Sequence, residues 1–393
     1  MKSNTHLLPA TRGEGQKWAL ALALLLTACG PLTPRQKDAV TGGGGASTGG
    51  GASTGGGGTT GGGATGGGAA TGGGGGATGG GSATGGGGTP TWEFSSIGLT
   101  PAPANSGSIV GFAATDGGTF AVSSSGRVYR STGGAFTELF TFPDGQPVDF
   151  EGSDDGALFV ISTVWFYACR ANDCADAGAW QQTRISASNE VMTSLCVVSG
   201  THAIAVGSAG GSNDGVYHAW NGTTFATGST ALGYSSPKQC WKTASGDFAF
   251  PVDDGVLRYD PGAMGFTPES TAVMPSWRGG GSALGTEWVA GSGPVISRRE
   301  AGGTWTPVLS RSGEGTVNVV LGVSATEAFA FGGGFSSSGQ SGWKWNGTSW
   351  VELSPDLPLM NIAVSAIRLS NGTLYVGGND QNQYPVIVRG LLR

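Results

Sequence analysis

Three observations predict an all-β body made of repeats. After Thr91 the chain alternates short β-branched and aromatic runs with Gly, Asn and Asp turns and carries no helical periodicity. A first comb of apolar anchors, each behind a small or polar turn, recurs at Phe120, Phe159, Ile204, Phe248, Trp288, Phe329 and Tyr375, at spacings of 39, 45, 44, 40, 41 and 46 residues. A second comb of aromatics recurs at Trp92, Phe136, Trp180, Phe225, Phe266, Trp305 and Trp350, at spacings of 44, 44, 45, 41, 39 and 45. Both combs have seven teeth and a mean period near 43. A repeat of about 40 to 50 residues with four short strands is the period of a β-propeller blade. The predicted fold is therefore a seven-bladed β-propeller of four-stranded blades.

The offset between the combs predicts how such a ring closes. In six units the second-comb aromatic follows the first-comb anchor by 16 to 21 residues. After Tyr375 that offset falls between 391 and 396, at the chain end, where no aromatic stands. Trp92 is the spare aromatic, so the N-terminal strand is expected to complete the last blade and leave it no open side.

Ahead of this body stand a leader and a tether. Lys2, Arg12 and Lys17 precede an uncharged apolar run, Trp18 to Ala28, which reads as a secretory signal too short to span a bilayer. The run ends Leu26-Thr27-Ala28-Cys29, which resembles the lipobox of bacterial lipoproteins. The resemblance implies a signal peptide over 1–28 and acyl chains on Cys29 as the first mature residue. With Gly30 rather than Asp next, it also implies the outer membrane as destination. Two or more chains on one residue make attachment lasting where a single chain binds only marginally. The segment 29–90 is expected to be a disordered linker. From Gly42 to Gly88, 29 of 47 residues are glycine and the rest are Ala, Ser or Thr, so nothing there offsets the entropy of ordering. The 63 residues from Cys29 to Trp92 give a root-mean-square reach of roughly 44 Å.

Composition narrows the function of the remaining domain, 91–393. The chain has 77 glycines in 393 residues and only 12% charged residues. The glycines follow no three-residue period with proline, which excludes collagen. From Thr91 on there are 15 Lys and Arg against 24 Asp and Glu, a net of −9, with no basic cluster to neutralise phosphates; nucleic acid is not an expected partner.

Cys29 goes to lipid, and four cysteines remain for an oxidising compartment. Cys169 and Cys174 bracket a loop before Trp180. Cys196 and Cys240 each lie eight residues before a first-comb anchor, at equivalent sites in neighbouring units. Two disulfides are expected. The Cys-x₄-Cys spacing is also half of a zinc site, for which no second half appears.

Some units resemble kelch repeats. Leu374-Tyr375-Val376-Gly377-Gly378 and Phe329-Ala330-Phe331-Gly332-Gly333 are similar to the kelch apolar-Gly-Gly strand, and Tyr259-Asp260-Pro261 with Phe266 to its aromatic half. Trp345-Asn346-Gly347-Thr348-Ser349-Trp350 and Trp220-Asn221-Gly222-Thr223-Thr224-Phe225 are a related variant. The run Glu300 to Trp305 resembles a degenerate Asp-box of sialidase-like propellers, without the Asp. The resemblance to kelch is therefore to a degenerate form.

No catalytic constellation is legible. His202 and His218 read as strand residues. Asp116-Gly117, Asp155-Gly156 and Asp254-Gly255 read as hairpin turns rather than calcium loops. Arg258, Arg278, Arg298 and Arg368 have no spacing that groups them. No metal and no cofactor are expected. The expected function is a tethered binding module for a protein or glycan. The alternatives are a sialidase-like or glycan-lyase enzyme on the same fold, or a structural envelope component. Long polar loops, Gly207 to Gly215, Gly332 to Gly342 and Gly377 to Tyr384, join second to third strands. They place Phe335, Asn379, Asp380, Gln381, Asn382, Gln383 and Tyr384 on one expected binding face.

Overall fold

The computed structural model describes residues 91–393 apart from 104–106, 145, 171–173, 186–189, 211–213, 231–238, 254, 272–275, 312–314, 334–339, 354–356 and 359. The expected signal peptide 1–28, Cys29, the linker 29–90 and Phe335 lie outside the described residues.

Among the described residues the strands form six sheets, four of four strands, one of five and one of eight, and four-stranded antiparallel repeats can be traced through them in chain order. Repeat 1 is Ile109–Thr115, Gly118–Ser123, Arg127–Ser131 and Phe136–Thr141. Repeat 2 is Pro147–Gly152, Leu158–Ser162, Trp165–Cys169 and Gln181–Arg184. Repeat 3 is Glu190–Ser199, His202–Ala209, Gly215–Trp220 and Phe225–Ser229. Repeat 4 is Trp241–Lys242, Phe248–Val252, Gly255–Asp260 and Gly265–Ser270. Repeat 5 is Trp277–Ala283, Thr286–Gly291, Val295–Glu300 and Thr306–Ser310. Repeat 6 is Thr316–Ser324, Glu327–Gly333, Gln340–Trp345 and Trp350–Glu352. Repeat 7 takes Ile362–Arg368, Leu374–Asn379 and Pro385–Leu392 from the C-terminus and Trp92–Ile97 from the other end of the body. One bridge, Gly333 to Ile362, joins the sheets of repeats 6 and 7.

The two combs now have a physical meaning. Every first-comb anchor lies on the second strand of its repeat and is buried. That strand is covered on both faces, so its apolar run is continuous rather than alternating. In repeat 2, Leu158 and Val160 pack with repeat 1 while Phe159 and Ile161 pack with repeat 3. The second-comb aromatics stand at or beside the start of the fourth strand. Fourth strands are more exposed, because one side meets water: Gln181–Arg184 is mostly exposed.

The core sits between repeats rather than within them. Seven buried clusters each span two successive repeats, and one of them joins repeat 7 to repeat 1 through Tyr375, Ile387, Ile109 and Phe136. Trp92 pairs with Leu392 across the last sheet and meets Phe329 of repeat 6 edge-on, with ring centroids 4.9 Å apart. Beyond that strand, Leu99–Thr100 adds in parallel to the outer edge of repeat 1, beside Phe136 and Thr137.

First strands of neighbouring repeats approach edge to edge, and side chains satisfy the backbone groups between them. Asp149 accepts from Leu195 N at 2.9 Å, Glu151 from Val197 N at 3.0 Å and Asp155 from Gly200 N at 3.1 Å. Asn318 Nδ2 donates to Ala363 O at 3.0 Å, and Ser365 Oγ donates to Ile109 O at 3.0 Å. Repeats 5 and 6 come closer still. A Cβ added at Gly279 or Gly281 would fall on the carbonyls of Asn318 and Val320, so only glycine permits this approach. Both expected cysteine pairs meet: Cα atoms of Cys169 and Cys174 are 5.8 Å apart, and those of Cys196 and Cys240 are 5.6 Å apart, the second pair joining repeats 3 and 4.

Burial pushes the Asp149 carboxyl up to about 6, and burial together with the Asp149 charge pushes Glu151 well above its usual range. The folded state therefore holds these protons more tightly than the unfolded chain, whose carboxyls titrate at roughly 4. Their stabilising contribution is full below the unfolded values; that of Asp149 is lost as pH rises through about 6, and that of Glu151 as pH rises through its own raised value. A melting-temperature series across this window should show a fall that the Asp149→Asn, Glu151→Gln double variant flattens; an unchanged slope refutes the assignment. A chain starting at Leu99 loses Trp92 and uncovers Pro385–Leu392. It should melt well below the chain starting at Thr91, since losing one packed Trp typically costs about 3–5 kcal/mol. Alkylation under denaturing, non-reducing conditions should add no mass at the four paired cysteines.

Candidate functional site

A depression of about 980 Å³ opens at the end where first and second strands turn. Four such turns contribute. Thr115–Gly118 carries Asp116 and Gly117, and Gly118 has φ 128°. Ser153–Ala157 carries Asp154 and Asp155, with Gly156 at φ 84°. Gly200 and Thr201 come from repeat 3, and Ile367 and Ser370 from repeat 7.

These turns are built by their own sequence. In repeat 2, Gly156 N donates to Ser153 O at 3.0 Å and Ala157 N to Ser153 Oγ at 3.0 Å, while Ser153 Oγ donates to Asp155. This hydroxyl contact holds the Asp155 carboxyl below its ordinary range. Gly200 N reaches the other oxygen of Asp155, so the carboxylate latches the turns of repeats 2 and 3 together.

Phe112 and Phe120 line the wall, with Glu151 half-buried beside them. Arg130 donates through Nε to Gly117 O at 2.7 Å, and its guanidinium lies 5.6 Å from the Phe120 ring centroid. Arg170 stands 5.9 Å from the Trp220 ring centroid. The Cys169–Cys174 bridge fixes the outer wall, where Trp180 Nε1 donates to Cys174 O at 3.0 Å. Asp116 and Asp154 are exposed and make no side-chain hydrogen bond or ion pair among the described residues. The site thus presents carboxylates, two arginines held by other contacts, and an aromatic wall. This is chemistry for recognition by charge and shape. Among the described residues no group of three or more His, Cys, Asp or Glu side chains could hold a metal.

The residues anticipated for binding lie at the other ends of the strands. Asn379 closes Leu374–Asn379, and Asp380 to Tyr384 form a tight turn. Asp380 Oδ1 accepts from Asn382 N at 2.9 Å and Tyr384 N at 2.8 Å, while Gln383 N donates to Asp380 O at 3.0 Å. Gln381 sits on this turn, and Gln383 O also accepts from Gly107 N at 2.7 Å. The structure brings these six residues together but not to the depression. The depression lies instead among the short turns of four successive repeats, 7, 1, 2 and 3, and the repeat spacing alone does not single out the side chains that line it.

Asp116-Gly117 and Asp155-Gly156 lie in hairpin turns, as expected, and Asp254 lies outside the described residues. His202 begins a strand; His218 is buried with Nε2 3.1 Å from Glu190 Oε2, and desolvation lowers the pKa of both histidines. The four arginines do not cluster. Arg258 joins Glu269, Glu287 and Arg299 in an ion network between repeats 4 and 5, and Arg298 lies 5.2 Å over the Trp345 ring. Arg278 and Arg368 sit on first strands of repeats 5 and 7. Sequence reasoning missed Glu151, Asp154, Arg130 and Arg170. The one available signal was the separation of about 45 residues between residues at equivalent positions of neighbouring repeats.

No protein-family model matches the sequence, and no curated protein sequence matches it. Solved structures match its fold. Virginiamycin B lyase from Staphylococcus aureus aligns with a TM-score of 0.61 at 10% identity, over 77% of this chain and 100% of its own. YCF48 from Cyanidioschyzon merolae aligns with a TM-score of 0.58 at 13% identity, over 76% of this chain and 98% of its own; YCF48 bound to D1 peptide aligns at 0.56. The extracellular domain of the putative one component system BT4673 from B. thetaiotaomicron aligns at 0.57 and 12% identity, over 75% of this chain and 39% of that one. At these identities the likeness is one of fold, and the fold is that of a β-propeller.

Proposed function

We propose that this chain is a lipid-anchored, extracytoplasmic β-propeller that binds another protein. In this reading Cys29 carries the lipid at the outer membrane, 29–90 is a flexible tether, and the body is a seven-bladed, kelch-like ring whose last blade is completed by Trp92–Ile97. The lipobox residues Leu26 to Cys29 and the glycine-rich run support the first two parts. The seven inter-repeat clusters and the pairing of Trp92 with Leu392 support the third.

The depression at the short-turn end carries the functional reading. It is large, it is walled by several repeats, and its only cysteine, Cys174, is tied up in a disulfide. Fold alone does not assign an activity. YCF48 bound to a peptide supplies an instance of a protein partner on a similar fold.

A fatty-acid probe should label the protein in cells, and Cys29→Ser should abolish labelling and release the chain from membranes; equal labelling of the variant refutes the anchor. The full chain, used as bait on solubilised envelopes, should retain a protein partner. Replacing Asp154 and Thr201 should weaken that retention more than replacing Asn379 to Gln383 by Gly-Ser. The reverse order places binding at the opposite end.

A further inference from the structure

A second depression of about 400 Å³ adjoins the first and shares Ala114 to Gly117 and Ser370 with it. The residues lining the two depressions run from the seam of repeats 7 and 1 to repeat 3. The larger lobe alone sits near the top of the roughly 300–1,000 Å³ range of small-molecule sites. The continuation of that lining beyond the larger lobe suits an extended chain segment better than a compact ligand.

The charges along this groove are unbalanced. Asp116, Glu151, Asp154 and Asp155 line the larger lobe. Elsewhere the described residues form ten ion pairs, yet none involves these four carboxylates. The two arginines on the same wall are engaged otherwise, Arg130 with the Gly117 carbonyl and the Phe120 ring, Arg170 over Trp220. Glu151 lines the larger lobe and accepts a hydrogen bond from Val197 N at 3.0 Å on Oε2. Its carboxyl is raised well above the usual range by burial and by Asp149 behind it, as expected of an acid that lacks a cation. The body also carries a net charge of −9, counted above, which steers cations toward it at long range.

Resting on the binding-module reading, we infer that the groove takes an extended basic segment of a partner protein, with a Lys or Arg side chain of that segment reaching Glu151 between Asp154 and Asp155. The aromatic wall of Phe112 and Phe120 flanks the aliphatic stem of the incoming side chain.

The test is fluorescence anisotropy on the full chain with a labelled (Gly-Lys)₄ peptide, the matching (Gly-Glu)₄ peptide and unlabelled free lysine as competitor. The lysine peptide should bind, with affinity falling as salt rises, and the glutamate peptide should not. Asp154→Asn and Asp116→Asn are exposed changes that break no contact and should each weaken binding several-fold. Glu151→Gln should weaken it about tenfold or more. Asp214→Asn, in the loop before Gly215 at the opposite end, should leave it unchanged. Equal binding of both peptides, insensitivity to all three groove variants, or full competition by free lysine at equal concentration overturns the inference. An envelope partner retained equally by the wild type and the groove variants overturns it too, while leaving the binding module standing. Lysine-peptide binding that follows the groove variants, with no envelope partner retained, upholds the groove chemistry and counts against the binding module.

Discussion

Each sheet in this molecule has two faces to bury and only its neighbours to bury them with. A four-stranded meander alone would leave both faces of its second strand in water. The seven clusters between repeats meet this constraint, and each needs apolar residues from two repeats at once. Stability is therefore shared along the whole body, and no repeat has a core of its own. The same constraint explains why Trp92, which opens the strand Trp92–Ile97, packs against Phe329 in the sixth repeat, far along the chain.

Polar groups at the seams obey a related rule. Where first strands meet edge to edge, backbone N–H and C=O groups face one another at spacings that do not form a regular ladder. Asp149, Glu151, Asn318 and Ser365 fill those gaps with side-chain hydrogen bonds. Between repeats 4 and 5 the filler is ionic: Arg258 and Arg299 alternate with Glu269 and Glu287, with Arg299 also 4.7 Å over the Trp305 ring. Removing one member would leave a charge without its partner in a desolvated setting, which costs more than the pair itself contributes.

The fold was legible because burial on both faces leaves a periodic mark. Phe120 through Tyr375 stand where a continuous apolar strand is obligatory, and Trp92 through Trp350 where an outer strand turns inward, so two independent combs appear in one dimension. The double glycines also have a local cause: a Cβ at Gly333 or Gly378 would fall on the carbonyl of Asn361 or Ile362 in the adjoining strand. The candidate site left no such mark. Asp116, Glu151, Asp154 and Arg170 come from different turns and strand ends, and only adjacency in space groups them. Loop length drew attention to Asn379 through Tyr384, yet the Asp380 carboxylate already serves the backbone of its own turn. Length measures what a loop has room for, whereas a cavity depends on what the neighbouring repeats leave open.

The pairing of Thr91 with Arg393 has a mechanical consequence. Thr91 and Arg393 exchange backbone hydrogen bonds of 3.1 and 2.9 Å, and Arg393 Nε reaches Glu93 at 3.0 Å. Tension on the chain ahead of Thr91 enters the body at this pair. Pulled along the strand axis, the six residues from Trp92 to Ile97 share the load in parallel; pulled across it, the bonds open one after another from Thr91. The direction of the pull thus decides whether the body holds like a lap joint or peels like tape, and Leu99–Thr100, bound to the edge of repeat 1, is where a peel would meet its next resistance.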